Sequence, residues 1–287
     1  MGAPAILAED VYREELARMG AQDGRVVCVE AVPGGGRHPF EAAHPDRFFQ
    51  LGRVDSAMVS MVEGLVTAGF RVFVCGLGAG AGAERLPRLA LAHLRSGASV
   101  VVPDSQSDPV ELLRTPRVRI AAPSGVREIR AVVRSAARSG RPYHIRIGAG
   151  ASADVTAGWA GSGDGDIPVV VWDAGRGAGR RTDPAGVCLV SVGEDGTRLA
   201  LAVRERGPGP AHAHLVYLDD SHLAAAAGEL ARRHDRFVVL GGHRGPGGVA
   251  TRLSRLMPGC DVLEMALGGD LAADVVRVLH GAERLGR

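Results

Sequence analysis

Short apolar runs alternate with helical patterns along most of this chain, and that alternation restricts it to an α/β architecture. Arg25 to Glu30 (R-V-V-C-V-E), Arg71 to Cys75, Ser99 to Val102, Val118 to Ala121 and Tyr143 to Ile147 each read as a buried strand. Between them, Glu9 to Met19, Asp55 to Ala68, a stretch through Leu86, Leu89 and Leu94, a short piece near Val110 to Leu113, and Ser124 to Arg138 carry helical spacing. Phe48 to Leu51 is a short extended piece, and Gly69 closes the helix that starts at Asp55. Strands joined through helices by short loops predict a mostly parallel sheet.

The pattern pauses after Gly148. Residues 149–184 are rich in Gly, Ala, Ser and Arg and read as a linker holding one strand, Ile167 to Trp172. A second α/β unit follows over 185–287. It is expected to contain strands at Val187 to Val192, His214 to Leu218, Phe237 to Leu240 and Asp261 to Met265. Its expected helices are Glu194 to Arg204, Asp220 to Arg233, Val249 to Leu256 and Leu271 to His280. The expectation is two domains, 1–148 and 185–287, each a mostly parallel sheet flanked by helices.

With 287 residues the chain has room for two such cores, and a net charge of +2 gives no electrostatic case for nucleic acid or a membrane surface. There is no Lys and no Asn, so Arg supplies all the fixed positive charge. The four cysteines stand singly in or beside apolar runs, which predicts buried thiols and a reducing, cytoplasmic setting. No apolar stretch approaches the ~20 residues that cross a bilayer.

The segment His44 to Cys75 (H-P-D-R-F-F-Q-L-G-R-V-D-S-A-M-V-S-M-V-E-G-L-V-T-A-G-F-R-V-F-V-C) resembles the pyrimidine-binding domain of transketolases. The preceding V-V-C-V-E-A-V-P-G-G-G is similar to that family's V-V-x-L-D-A-D-L-G-G-S, and Arg141 to Ile147 to the strand that closes the domain. In the second unit, V-C-L-V-S-V-G and F-V-V-L-G-G-H-R-G-P-G-G-V-A-T resemble the transketolase C-terminal domain. The resemblance implies the C-terminal section of a split enzyme: a thiamine diphosphate pyrimidine-binding fold followed by a transketolase C-terminal-like fold. The cofactor with its Mg2+ would then be held at the diphosphate end by an N-terminal partner subunit, in a heterotetramer. The beta subunit of 2-oxo acid dehydrogenases has the same two-domain layout and is the nearest alternative.

Carried over residue by residue, the resemblance places Asp55 where the family has the Glu that bonds N1′ of the cofactor's aminopyrimidine. Asp55 keeps the carboxyl but is one methylene shorter, and Asp near a helix start is equally at home as a cap. Leu77 stands where the family stacks an aromatic ring on the pyrimidine, and Val32 replaces the second acid of D-A-D. His38, Arg146 and His243 are candidate substrate residues. The Glu-Glu of the C-terminal loop has become Gly241-Gly242. Gly163-Asp164-Gly165 is read as a turn, and His212-x-His214 lacks the further ligands of a metal site.

Two functions follow. The first is a subunit that, with its partner, transfers a two-carbon ketol or related acyl-anion unit, in a specialised biosynthetic reaction. The second is a non-catalytic scaffold or regulatory subunit with a degenerate cofactor site.

Overall fold

The computed structural model describes residues 7–31, 38–51, 55–77, 86–103, 117–148, 150, 167–172, 186–205, 210–241 and 247–265. The expected helices at Val110 to Leu113 and Leu271 to His280, most of the linker, Val32 and His243 lie outside the described residues. The chain divides into two compact units: Met1–Ala121 with Ile129–Ala151, and Ala122–Glu128 with Ser152–Arg287.

In the first unit the elements run α1 (Ala8–Gln22), β1 (Val26–Glu30), α2 (Pro39–Ala43), a 3-10 turn (Pro45–Arg47), β2 (Phe48–Gln50), α3 (Asp55–Thr67) and β3 (Arg71–Cys75). They continue with α4 (Leu86–Arg95), β4 (Ser99–Pro103), β5 (Arg119–Ala121), α5 (Val126–Arg138, whose first three residues fall in the second unit) and β6 (Tyr143–Ile147). The six strands form one wholly parallel sheet in the order β2-β1-β3-β4-β6-β5. Strands β1 and β6 are buried at every residue, as a parallel sheet covered on both faces requires.

The short α2 was not visible in the hydrophobic period. Its cause is local: Pro39 sits at the first helical position, and His38 before it accepts the Phe40 backbone N–H. Helix α2 packs tightly on α1 at Gly20, where a Cβ would stand 2.6 Å from Phe40 Cε2. Arg47, from the P-D-R-F-F run, ties this corner together by donating to the carbonyls of Gly20, Asp23 and Val26 at 3.0, 3.2 and 3.2 Å. Glu15, buried on α1, receives Arg134 of α5 at 2.6 Å.

The second unit contains β7 (Val171–Trp172), β8 (Val187–Val192), α6 (Gly193–Glu205), β9 (Ala211–Leu215), α7 (Asp220–Ala231), β10 (Arg236–Leu240), α8 (Val249–Leu256) and β11 (Asp261–Met265). The sheet order is β11-β10-β8-β9-β7, parallel except for β7, which runs antiparallel to β9. Strand β9 begins at Ala211, ahead of the expected His214 to Leu218. The A-H-A-H-L run puts histidines at buried positions, so its polarity disguised a core strand. Strand β7 is only the last two residues of the expected Ile167 to Trp172 piece.

Two glycines let α6 lie directly on the ends of β8 and β10. A Cβ on Gly196 would stand 2.3 Å from the Leu240 carbonyl oxygen. A Cβ on Gly241, whose φ is +81°, would stand 2.3 Å from the Val192 carbonyl oxygen and 2.7 Å from the Gly196 Cα. Backbone contact therefore demands glycine at Gly241.

Candidate functional site

In a parallel sheet the loops that leave the C-terminal strand ends gather on one edge, which is where ligands bind in open α/β folds. Strands β1, β2 and β3 end level with one another, with Glu30 opposite both Gln50 and Cys75. The ladder continues one step further through Ala31 N–H to the Cys75 carbonyl (3.0 Å) and Leu51 N–H to the Glu30 carbonyl (3.1 Å).

Two of the sequence-derived residues leave from this edge. Asp55 is the first residue of α3, four positions beyond Leu51. Leu77 is two positions beyond β3, after Gly76 with φ +71°, and its side chain is 5% exposed. Arg146 is buried on β6, opposite Val102 of β4. It shares the edge but is two strands from β3, roughly 10 Å across the sheet. His38 lies beside β2, its ring centroid 5.1 Å from that of Phe48.

Behind the edge is a polar group that sequence reasoning passed over. Glu30 ends β1 with its side chain buried and meets Arg13 of α1 at 3.2 Å. Burial raises its pKa, with the Arg13 guanidinium opposing that rise. The Tyr12 hydroxyl lies 2.8 Å from Cys75 Sγ, which is 3.8 Å from Cys28 Sγ. The hydrogen bond to Cys75 and burial push the Cys28 thiol upward, so that sulfur is a protonated packing group. The available signal was an acidic residue closing an otherwise apolar strand.

The second unit holds an arrangement that mimics a catalytic triad. His214 Nδ1 is 3.0 Å from Ser191 Oγ, and its Nε2 is 3.2 Å from Glu128 Oε2. Ser191 Oγ also lies 2.8 Å from His212 Nε2 and 3.1 Å from Thr197 Oγ1, while Thr197 donates to the Gly193 carbonyl at 2.8 Å. Ser191, His214 and Glu128 are all 0% exposed, so no substrate carbonyl reaches the hydroxyl. This network fastens β8, β9 and α6 to Glu128 in the first turn of α5, a piece of chain that belongs to the second unit. It also accounts for His212-x-His214: both rings are turned onto one serine.

No known family profile matches the chain. Over 71 residues, 24% of this chain, it is 38% identical to the 1-deoxy-D-xylulose-5-phosphate synthase of Thermomicrobium roseum. A 67-residue stretch is 37% identical to the same-named enzyme of Nitratidesulfovibrio vulgaris. These matches span only 11% and 10% of those curated relatives. Among solved structures, one described as a split-gene transketolase, an inactive beta4 tetramer, aligns over 99% of this chain and 100% of its own, with a TM-score of 0.75 and 19% identity. The chain has the transketolase-like fold. A transketolase from Campylobacter jejuni aligns over 96% of this chain and 45% of its own, with a TM-score of 0.60 and 13% identity. This fold is the one expected from the resemblance to the C-terminal section of transketolases.

For the aminopyrimidine end of thiamine diphosphate, the transketolase-like edge offers a buried apolar residue, Leu77, and a helix that starts with a carboxyl residue, Asp55. Those residue types fit an apolar ring with a basic ring nitrogen. Among the described residues no helix is long and apolar enough to cross a membrane.

Proposed function

We propose that this chain is the C-terminal subunit of a split transketolase-like enzyme. With a partner subunit carrying the diphosphate- and metal-binding domain, it transfers a two-carbon ketol or related acyl-anion unit. The observation that carries this reading is the common sheet edge from which Asp55 and Leu77 leave, within a fold shared end to end with a split-gene transketolase subunit. Thiamine diphosphate, when bound, supplies the carbanion equivalent that such a transfer needs. In this chain Asp55 would hold the pyrimidine ring nitrogen and share a proton with it, and Leu77 would wall the ring against water. Val32, His243 and Arg146 belong to the same proposal, Val32 as an apolar neighbour of the ring and the other two toward substrate. The assembly proposed is a heterotetramer.

A scaffold subunit is the second reading. It is favoured by Leu77, which cannot stack a ring as an aromatic does; that contact is worth on the order of 1 kcal/mol.

Co-expression with the partner, followed by calorimetric titration of thiamine diphosphate and Mg2+, separates the two. Binding and turnover that vanish in Asp55→Ala support the enzyme. Assembly of a complex that binds no cofactor supports the scaffold.

A further inference from the structure

Nothing in the hydropathy of β1 says how far along its neighbours it sits. Val26, Val27, Cys28 and Val29 are each at most 1% exposed, so the strand is apolar toward both faces. Register is specified by a difference between faces, and here there is none: a slip of one residue exchanges one buried apolar set for another. Glu30 breaks that equivalence. It is the single charged side chain of the strand, it is buried, and Arg13 of α1 holds its carboxyl at 3.2 Å. A one-residue slip turns it to the opposite face, away from that guanidinium. The preceding residue of α1 holds the neighbouring strand, since the Tyr12 hydroxyl lies 2.8 Å from Cys75 Sγ at the end of β3. Adjacent residues of one helix therefore gauge the ends of two adjacent strands.

Stability does not account for a buried ion pair here, because well-packed apolar residues of similar volume would serve as well. Position does. Among the described residues β2 pairs with β1 alone, so β1 sets the level at which the chain leaves for Asp55. The Glu30 carbonyl accepts the Leu51 N–H at 3.1 Å, and the next residue, Ala31, donates to the Cys75 carbonyl at 3.0 Å. Leu51 precedes Asp55 by four positions and Cys75 precedes Leu77 by two. One residue of slip between β1 and β3 would move the two departure points roughly 3.3 Å relative to each other.

We propose that Glu30 is a positioning residue: its ion pair with Arg13 fixes the register of β1 and thereby sets Asp55 and Leu77 at the level that the cofactor ring requires. The proposal rests on the enzymatic reading above. Glu30 itself touches neither cofactor nor substrate; it acts through the backbone of β1 on the two strands beside it.

Glu30→Leu separates position from stability. Arg13 keeps Glu9 at 2.7 Å, so no buried charge is left unpaired, and the melting temperature stays within about 3 °C of wild type. In the full chain, amide hydrogen exchange at Ala31 and Leu51 speeds up by about tenfold or more, while the amides of β8 and β10 exchange as before. In the complex with the partner, thiamine diphosphate and Mg2+, with hydroxypyruvate as the donor probe, kcat falls roughly ten- to a hundredfold. Glu30→Gln keeps an acceptor for Arg13 and recovers most of that turnover. If Glu30→Leu does not fold, Glu30→Gln decides: faster exchange at Ala31 and Leu51 without a lower melting temperature supports the proposal. Unchanged exchange at those two amides, or full turnover in folded Glu30→Leu, overturns it and leaves the enzymatic reading intact. So does a loss of turnover that follows a fall in melting temperature. A wild-type complex that turns over no donor sinks the enzymatic reading, and the positioning role with it.

Discussion

His214 Nε2 lies 3.2 Å from Glu128 Oε2, with both side chains wholly buried. The same carboxylate oxygen accepts the Ser124 N–H at 2.7 Å, the Ser124 hydroxyl at 3.2 Å and the Gly125 N–H at 3.3 Å. Burial alone would raise the Glu128 pKa; the histidine and the two backbone donors outweigh it, and the net shift is downward. A carboxylate with a lowered folded pKa stabilises the protein above its unfolded pKa, and that contribution is lost as pH falls through the folded value.

Removing one member leaves the other buried and uncompensated. Glu128→Ala is expected to cost about 3–5 kcal/mol by urea unfolding at pH 7. His214→Leu combined with Glu128→Ala costs less than the two single losses added together. Additive losses would mean that the pair does not interact.

Gly241 and Gly196 make a second, steric prediction. Gly241→Ala places a Cβ against the Val192 carbonyl oxygen at a φ of +81°, so overlap and left-handed strain act together. A loss of roughly 3 kcal/mol or more in unfolding free energy is expected. Gly64→Ala is the control: it lies on the exposed face of α3 with open space around its Cβ position. That change should stabilise by about 0.5–1 kcal/mol. If Gly241→Ala proves as stable as wild type, the backbone contact between α6 and β10 is not as described.

These glycines show how far the sequence could be read. Loss of the Glu-Glu pair at Gly241-Gly242 looked like erosion of a functional loop, yet at Gly241 a packing contact requires glycine. That requirement comes from residues 45 positions apart and leaves no local period. The parallel sheet was legible because its strands are continuous apolar runs. Strand β9 was misplaced because His212 and His214 are core residues satisfied by Ser191, a pairing across strands that no hydropathy pattern carries. The same limit applies at the candidate edge. Asp55 and Leu77 were found through resemblance, whereas the partners of Glu30 and of His38 Nδ1 are Arg13 and Phe40 in space.

His93 and His144 predict acid sensitivity. Both are buried; His93 has no partner on either ring nitrogen among the described residues, and His144 has none on Nδ1. Burial lowers the His93 pKa from 6.5 to about 4. Burial, followed by the charge of Arg146, lowers that of His144 to about 3. Below pH 6.5 the unfolded chain binds protons that the folded chain refuses, so stability falls as pH drops toward those folded values and is fully present above pH 6.5. Each histidine contributes a slope of at most ~1.4 kcal/mol per pH unit. His93→Leu should flatten the dependence by about that amount between pH 6 and 4.5. An unchanged slope assigns the acid sensitivity elsewhere.

The role of Asp55 turns on a substitution that separates charge from capping. Asn caps a helix start about as well as Asp, so Asp55→Asn leaves α3 intact to within a few tenths of a kcal/mol. It cannot share a proton with a ring nitrogen as a carboxyl does. In the complex with the partner subunit, catalysis through Asp55 predicts that Asp55→Asn lowers kcat by at least a hundredfold, with assembly and melting temperature unchanged. Asp55→Glu restores the missing methylene and should raise kcat, since reach errors of about 1 Å can cost a hundredfold. Leu77→Phe restores a stacking surface and should tighten thiamine diphosphate binding roughly fivefold, the equivalent of ~1 kcal/mol. If Asp55→Asn keeps full turnover, the residue acts only on the helix, and the carboxyl that activates the cofactor must come from elsewhere in the complex.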